Sequence, residues 1–234
     1  ILFSKVTRMA STFRVAEADM QRDMPAIAGI ISQAFAEGGY VDEIQREYIG
    51  NCNYDPRVTR LVWEGERLVH HWGVWGYEMR VAAPQGEPHP AATLRVAGIG
   101  AVTTDENYRK QGVMEIAARE SFHAMEREGY DLSILRGRHY VKFGYTRAWN
   151  YITYRLKGAE IPTRAPLAYR ALVDADFEAL TALYNQAYAG FSGSAVRPTY
   201  RGFKSEGPEP SYYGWFGAEG SLEGFVRAMP DEER

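Results

Sequence analysis

Arg109-Lys110-Gln111-Gly112 is the stretch of this chain whose residue types and spacing are best suited to chemistry. It follows the apolar run Val96–Thr104 and the polar turn Asp105-Glu106-Asn107-Tyr108, and an amphipathic run opens directly after it at Val113. A helix that begins there leaves its first N–H groups without intrahelical acceptors and contributes the positive end of its dipole, while glycine lets an anion approach closely. Arg109 and Lys110 add charge beside it, so a pyrophosphate is the guest that fits. Other phosphate patterns are missing: no Gly-Lys-Ser or Gly-Lys-Thr occurs, and Gly98-Ile99-Gly100 lacks the third glycine of a dinucleotide fingerprint. An Arg-x-x-Gly at a strand-to-helix junction is by itself also common as solvated surface.

The elements that must position this cradle can be read from the hydrophobic pattern. At 100° per residue Val113, Ile116, Ala117, Ala124 and Met125 share one face of a helix over 112–128, and Gly129 stands at its C′ position. Leu61–Trp63, Arg67–Val81 and Leu94–Thr104 read as strands rich in Val, Trp and Tyr, and the Pro- and Gly-bearing stretch Ala82–Ala92 between the last two as a hairpin loop. Asp131–Leu135 and Trp149–Leu156 read as further strands. With an opening strand at Phe13 and a helix ending at Ala36, the order is β-α-β-β-β-α-β-β, a mixed sheet with helices.

The opening recurs. Phe13-Arg14-Val15-Ala16-Glu17-Ala18-Asp19 leads into a helix ending Gln33-Ala34-Phe35-Ala36, and Tyr169-Arg170-Ala171-Leu172-Val173-Asp174-Ala175-Asp176 leads into one ending Gln186-Ala187-Tyr188-Ala189. The hairpin around Glu64-Gly65-Glu66 is echoed by Tyr213 to Leu222. Between the copies, residues 158–167 carry two prolines and a glycine and read as a linker. A tandem is expected whose second copy stops at its third element, and residues 1–11, with Met9-Ala10-Ser11, read as an N-terminal tail.

The 234 residues correspond to about 1.6 domains at roughly 150 residues each. With 27 Lys plus Arg against 30 Asp plus Glu, the net charge of -3 supplies no basic field for nucleic acid. The single cysteine, Cys52, excludes an internal disulfide and a four-thiolate zinc site; no metal is expected, and a reducing compartment fits. No apolar run approaches the ~18 residues of a membrane span and the N-terminus lacks a signal-peptide core, so no membrane partner and a cytoplasmic location are expected.

His139-Tyr140-Val141-Lys142-Phe143-Gly144-Tyr145, one helix and one strand beyond the anion cradle, supplies a second signal. With both motifs in order the chain resembles the GNAT acetyltransferase superfamily, which carries Arg-x-x-Gly-x-(Gly or Ala) after a strand and later Tyr-x-x-x-Gly-(Phe or Tyr). It most resembles the tandem GNAT proteins of the enhanced intracellular survival family, acetyl-CoA-dependent amine acetyltransferases. The resemblance implies a mixed α/β fold with a mostly antiparallel sheet flanked by helices. It implies an acetyltransferase domain at 12–157 and, beyond the 158–167 linker, a partial second copy at 168–234. Acetyl-CoA is the implied co-substrate. Val102, Thr103 and Thr104 match the strand that holds its acetyl and pantetheine parts. Arg109, Lys110, Gln111, Gly112 and Val113 match the pyrophosphate loop, and Tyr140 the general acid. The chain departs from the pattern at Met114, where Gly or Ala is usual, and at Glu106, where proline is. The family's third domain has no counterpart, and a homo-oligomer stays open.

Acetyl transfer from a thioester to an amine needs a neutral amine, a donor for the charge developing on the carbonyl oxygen, and a proton for the departing thiolate. A backbone N–H near Val102–Thr104 suits the second need and the Tyr140 phenol the third. Glu43, His70, His71 and Glu115 are the titratable candidates for a base, with at most one of the adjacent histidines able to enter a pocket. The acceptor, a small-molecule amine such as an aminoglycoside or a lysine, is expected near Gly38-Gly39-Tyr40, Glu43, Glu47 and the aromatic strand Trp72, Trp75, Tyr77. The competing expectation is a catalytically silent acyl-CoA-binding or partner-binding module.

Overall fold

The computed structural model describes residues 13–36, 38–50, 53–81, 92–137, 139–148, 169–198 and 211–228. The expected strand at Trp149–Leu156, the linker at 158–167, the N-terminal tail and the hairpin loop, except Ala92, which opens a strand, lie outside the described residues. Among the described residues two compact units are distinguished, one holding those up to Leu135 together with Phe191–Val196, the other those from Arg136 to Gly190, Arg197, Pro198 and 211–228.

In the first unit β1 (Phe13–Glu17), β2 (Arg60–Glu64), β3 (Arg67–Val81) and β4 (Ala92–Thr104) form an antiparallel run, and β5 (Leu132–Ile134) joins β4 in parallel. The sheet alternates its side chains between two helices. Trp72 of β3 meets Phe122 of α3 (Val113–Arg127) edge-on, whereas Trp75 packs with the cluster built on Ile27, Ile30 and Ile31 of α1 (Met24–Phe35). Those isoleucines recur at helical spacing, as do the buried Val113, Ala117, Ser121 and Ala124 of α3. Gly129, at φ +71°, ends α3 in the left-handed region, and the Tyr130 N–H reaches back to the Met125 carbonyl at 3.0 Å. A short helical turn α2 (Val41–Glu43) runs on as a π-helix over Ile44–Ile49.

The 15-residue β3 outruns β2, and two other segments take over its edge. Tyr54 bridges Trp75, and the two-residue β7 (Ala195–Val196) pairs with Met79 and Glu78. Arg80 ties this junction twice, its N–H donating to the Ser194 carbonyl at 2.8 Å and its guanidinium to that of Ala195 at 2.7 Å.

In the second unit β6 (Tyr169–Ala171), β8 (Ser211–Phe216) and β9 (Leu222–Ala228) form an antiparallel sheet in that order, and α4 (Phe177–Ala187) buries Leu180 completely. Strand, helix and hairpin thus follow one another as β1, α1, β2 and β3 do.

Candidate active site

The site in the first unit is built where β4 runs on beyond its pairing with β5. β5 pairs only with Val96, Ala97 and Gly98, while the ladder to β3 continues to Thr104. Among the described residues, no strand covers the β5-side edge of β4 from Ile99 onward. That edge presents main-chain N–H and C=O groups along the residues that lead into the loop 105–112.

Over the same residues β4 is bulged in its pairing with β3. His71 faces Thr103 and Gly73 faces Gly100, so Trp72 alone stands opposite both Ala101 and Val102. Ala101 sits at φ +45°, a region in which a residue with a Cβ is strained. Its carbonyl oxygen lies 2.8 Å from Nδ1 of His71, and Nε2 of His71 lies 3.0 Å from the Tyr54 hydroxyl. Burial pushes the His71 imidazole down to about 4, so it is neutral. A carbonyl can only accept, which puts the ring proton on Nδ1 and leaves Nε2 to accept from Tyr54. His70 points to the other face, 2.7 Å from Oγ1 of Thr104, and burial, reinforced by His71, lowers it to about 3. Both histidines are fully buried, so neither serves as a base for a solvent-borne amine.

The loop after β4 is ordered by local hydrogen bonds. Asp105 accepts from the Asn107 N–H at 3.0 Å and from Arg67 at 2.5 Å. Partial burial acts to raise its carboxyl, but those two donors outweigh it and hold it below its ordinary value. Its charge is therefore matched by Arg67 and leaves Arg109 and Lys110 to face solvent. Both are exposed, with Arg109 Nε 3.4 Å from the Thr104 carbonyl, while the Gln111 amide donates to Asn107 O at 2.9 Å. Lys110 at φ +62° and Gly112 at φ +80° are left-handed around Gln111, a conformation that turns successive N–H groups toward one concavity. A Cβ built on Gly112 would meet nothing within 4 Å. The space in front of the helix start is open, and the donor set suits the pyrophosphate of a coenzyme A thioester. Val113, the first helical residue, is buried, whereas Met114 is partly exposed.

Tyr140 lies in the second unit. It caps a 3-10 turn, Val141–Phe143, that Gly144 closes at φ +91°, and its ring stands edge-on to Tyr145 at 6.5 Å. Gly137 allows the close approach of that ring, since a Cβ there would sit 2.9 Å from Cε2. Half-burial raises the phenol above its ordinary value, which keeps it protonated.

The expected acceptor residues are spread over the α1–α2 region. Tyr40 is exposed at φ +60°, and Glu43 is 3.6 Å from Arg46. Trp75 donates from Nε1 to the Tyr48 carbonyl at 3.1 Å, and its ring lies 4.6 Å from that of Tyr48 and 5.1 Å from that of Tyr54. Trp72 is sealed between β3 and α3 and lines no pocket on the α1 side, in contrast to the expectation. Glu115 pairs with Arg119 at 3.0 Å. Tyr48 and Tyr54 carry no sequence signal of their own; Tyr48 arrives on the π-helix, and Tyr54 reaches β3 through a single bridge.

The sequence matches the acetyltransferase (GNAT) domain family over residues 16–148, more than half of the chain. The chain belongs to the GNAT family. Members of this family use acetyl-CoA as co-substrate, in keeping with the open anion cradle at Gly112. The fold is shared with a conserved Enterococcus faecalis V583 protein described as a probable N-acyltransferase: TM-score 0.68 at 17% identity, covering 92% of this chain and 54% of that one. The present chain thus spans about half the length of that protein. A glucosamine-6-phosphate N-acetyltransferase of Arabidopsis thaliana (11% identity, TM-score 0.43) and a protein of Clostridium acetobutylicum described as a predicted acetyltransferase and crystallised with acetyl-CoA (13%, 0.45) each cover 62% of this chain. The matches take in 99% and 96% of their own lengths. No curated protein matches the sequence. Among the described residues no helix is long and apolar enough to cross a membrane.

Proposed function

We propose that this GNAT chain is an acetyl-CoA-dependent N-acetyltransferase that acts in the cytoplasm on a primary amine, either a small molecule such as an aminoglycoside or a lysine. The observation that carries the reading is the continuous run from the bulged end of β4, beyond its pairing with β5, into the left-handed Lys110–Gly112 loop and the start of α3. Acetyl-CoA supplies an activated thioester. The backbone of Val102, Thr103 and Thr104 lines its acyl end. Arg109, Lys110, Gln111, Gly112 and Val113 hold its phosphates through charge and N–H groups. The acceptor nitrogen adds to the carbonyl carbon, the negative charge that develops on the carbonyl oxygen returns as the C–S bond breaks, the ammonium proton passes to solvent water, and the thiolate takes a proton from Tyr140, which its raised pKa keeps protonated and which regains that proton from solvent. Tyr40, Glu43 and Trp75 belong to the acceptor side in this reading.

The residues 168–234 open a second GNAT-like domain in the manner of the enhanced intracellular survival family. The shared order of β6, α4, β8 and β9 with β1, α1, β2 and β3 supports that assignment.

Calorimetric titration with acetyl-CoA, followed by a turnover assay on a panel of amines, tests the proposal. Binding with turnover is expected. Binding without turnover on any amine selects the silent acyl-CoA-binding module instead, and absence of binding removes both.

A further inference from the structure

The bulge in β4 has an unusual anchor. A carbonyl in a β-ladder ordinarily takes its hydrogen bond from the N–H of the neighbouring strand. That of Ala101 takes one from the side chain of His71, 30 residues earlier in the chain. His71 is in turn held by Tyr54, whose ring plane lies within 9° of the imidazole plane with the ring centres 6.2 Å apart. Both nitrogens of the ring are thereby satisfied in a fully buried position, which removes the penalty a buried imidazole otherwise carries. The arrangement also depends on Gly73, because a Cβ at that position would run into the His71 imidazole and the Trp75 ring.

What this anchor controls follows from the rigidity of the peptide group. The Ala101–Val102 bond is trans, so its C=O and N–H point in opposite directions in one plane. Fixing the Ala101 carbonyl toward His71 turns the Val102 N–H away from His71. The left-handed φ of Ala101 is disfavoured relative to the right-handed alternative, so an unsupported strand would relax and carry that N–H elsewhere.

We propose that Tyr54 and His71 are positioning residues that aim the Val102 N–H as the hydrogen-bond donor for the carbonyl oxygen of the acyl donor. The inference rests on the acetyltransferase reading and adds to it residues that touch no substrate. His71 belongs to the reaction through the peptide it holds, not as a base.

The test compares His71→Leu, which fills the imidazole volume without a donor, with His71→Asn, whose Nδ2 stands where Nδ1 does, and with Tyr54→Phe. Loss of an aligned oxyanion donor lowers kcat rather than binding, so His71→Leu is expected to lose about 10–100-fold in kcat while the calorimetric Kd for acetyl-CoA stays within about threefold. The infrared carbonyl band of bound carbon-13-labelled acetyl-CoA, shifted to low frequency in the wild type, should return toward its position in water in His71→Leu. It should stay low in His71→Asn, with most of kcat restored. If His71→Leu does not fold, Tyr54→Phe decides, with a several-fold loss of kcat and a partial return of the band expected. A folded His71→Leu, or failing that a Tyr54→Phe, that keeps wild-type kcat and band position overturns the inference while leaving the acetyltransferase reading in place. A wild type that binds no acetyl-CoA overturns both.

Discussion

His70 and His71 are neighbours in sequence and opposites in placement, and their shared burial sets a pH dependence. Both are held far below the ordinary value of 6.5, to about 3 and about 4, by removal from water. In the unfolded chain they take up protons as the pH falls below 6.5, and in the folded chain they resist. Stability that is complete above pH 6.5 is therefore lost progressively toward pH 4, at up to about 1.4 kcal/mol per pH unit for each histidine. Thermal melts across pH 7 to 4 should show this fall, and His71→Asn should reduce its slope by about half; an equal slope in the variant refutes the assignment. Tyr140 has the opposite displacement. Its phenol is raised by burial and remains a proton donor throughout the neutral range. Tyr140→Phe should lower kcat by about 100-fold or more with the affinity for acetyl-CoA unchanged, and unaltered turnover would remove its role.

At the scale of elements, the loop into α3 separates two effects that one glycine combines. Gly112 is needed both for its φ of +80° and for the open space before it. Gly112→Ala adds a methyl that meets nothing, so it should cost about 1 kcal/mol of stability and leave acetyl-CoA binding measurable. Gly112→Glu places bulk and negative charge in the cradle, and calorimetry should then detect no binding to a protein that is still folded. These elements were legible in advance because their signals are local. The strand Arg67–Val81 has the extent its composition implies, and α3 begins after Gly112 and ends before Gly129, as its periodicity and capping residues require. The bulge was not legible, since alanine carries no mark of a left-handed φ and its support comes from a histidine 30 residues away. The same holds for the π-helix that brings Tyr48 to Trp75, for which the residue pattern has no distinct period. Adjacent histidines on a strand announce opposite faces, but whether either face meets solvent is decided by tertiary neighbours such as Tyr54 at His71 and Thr104 at His70.

The whole molecule has two cores, and they need not melt together. Leu61 lies in the first and Leu180 in the second, and each is fully buried. Calorimetry should resolve two transitions, with Leu61→Ala lowering one and Leu180→Ala the other, each by about 2–5 kcal/mol. Gly193 adopts φ +85° where the chain returns to pair with β3, so Gly193→Val should shift the transition that Leu61→Ala shifts, although it follows Leu180 in sequence. A shift of the Leu180 transition instead would contradict the division. The same return has a consequence for biosynthesis. The outer end of β3 emerges from the ribosome 115 residues before the segment that binds Arg80. During that interval the edge at Met79 and Arg80 is a bare template for pairing with other chains, so the first sheet is completed out of the order in which it is made.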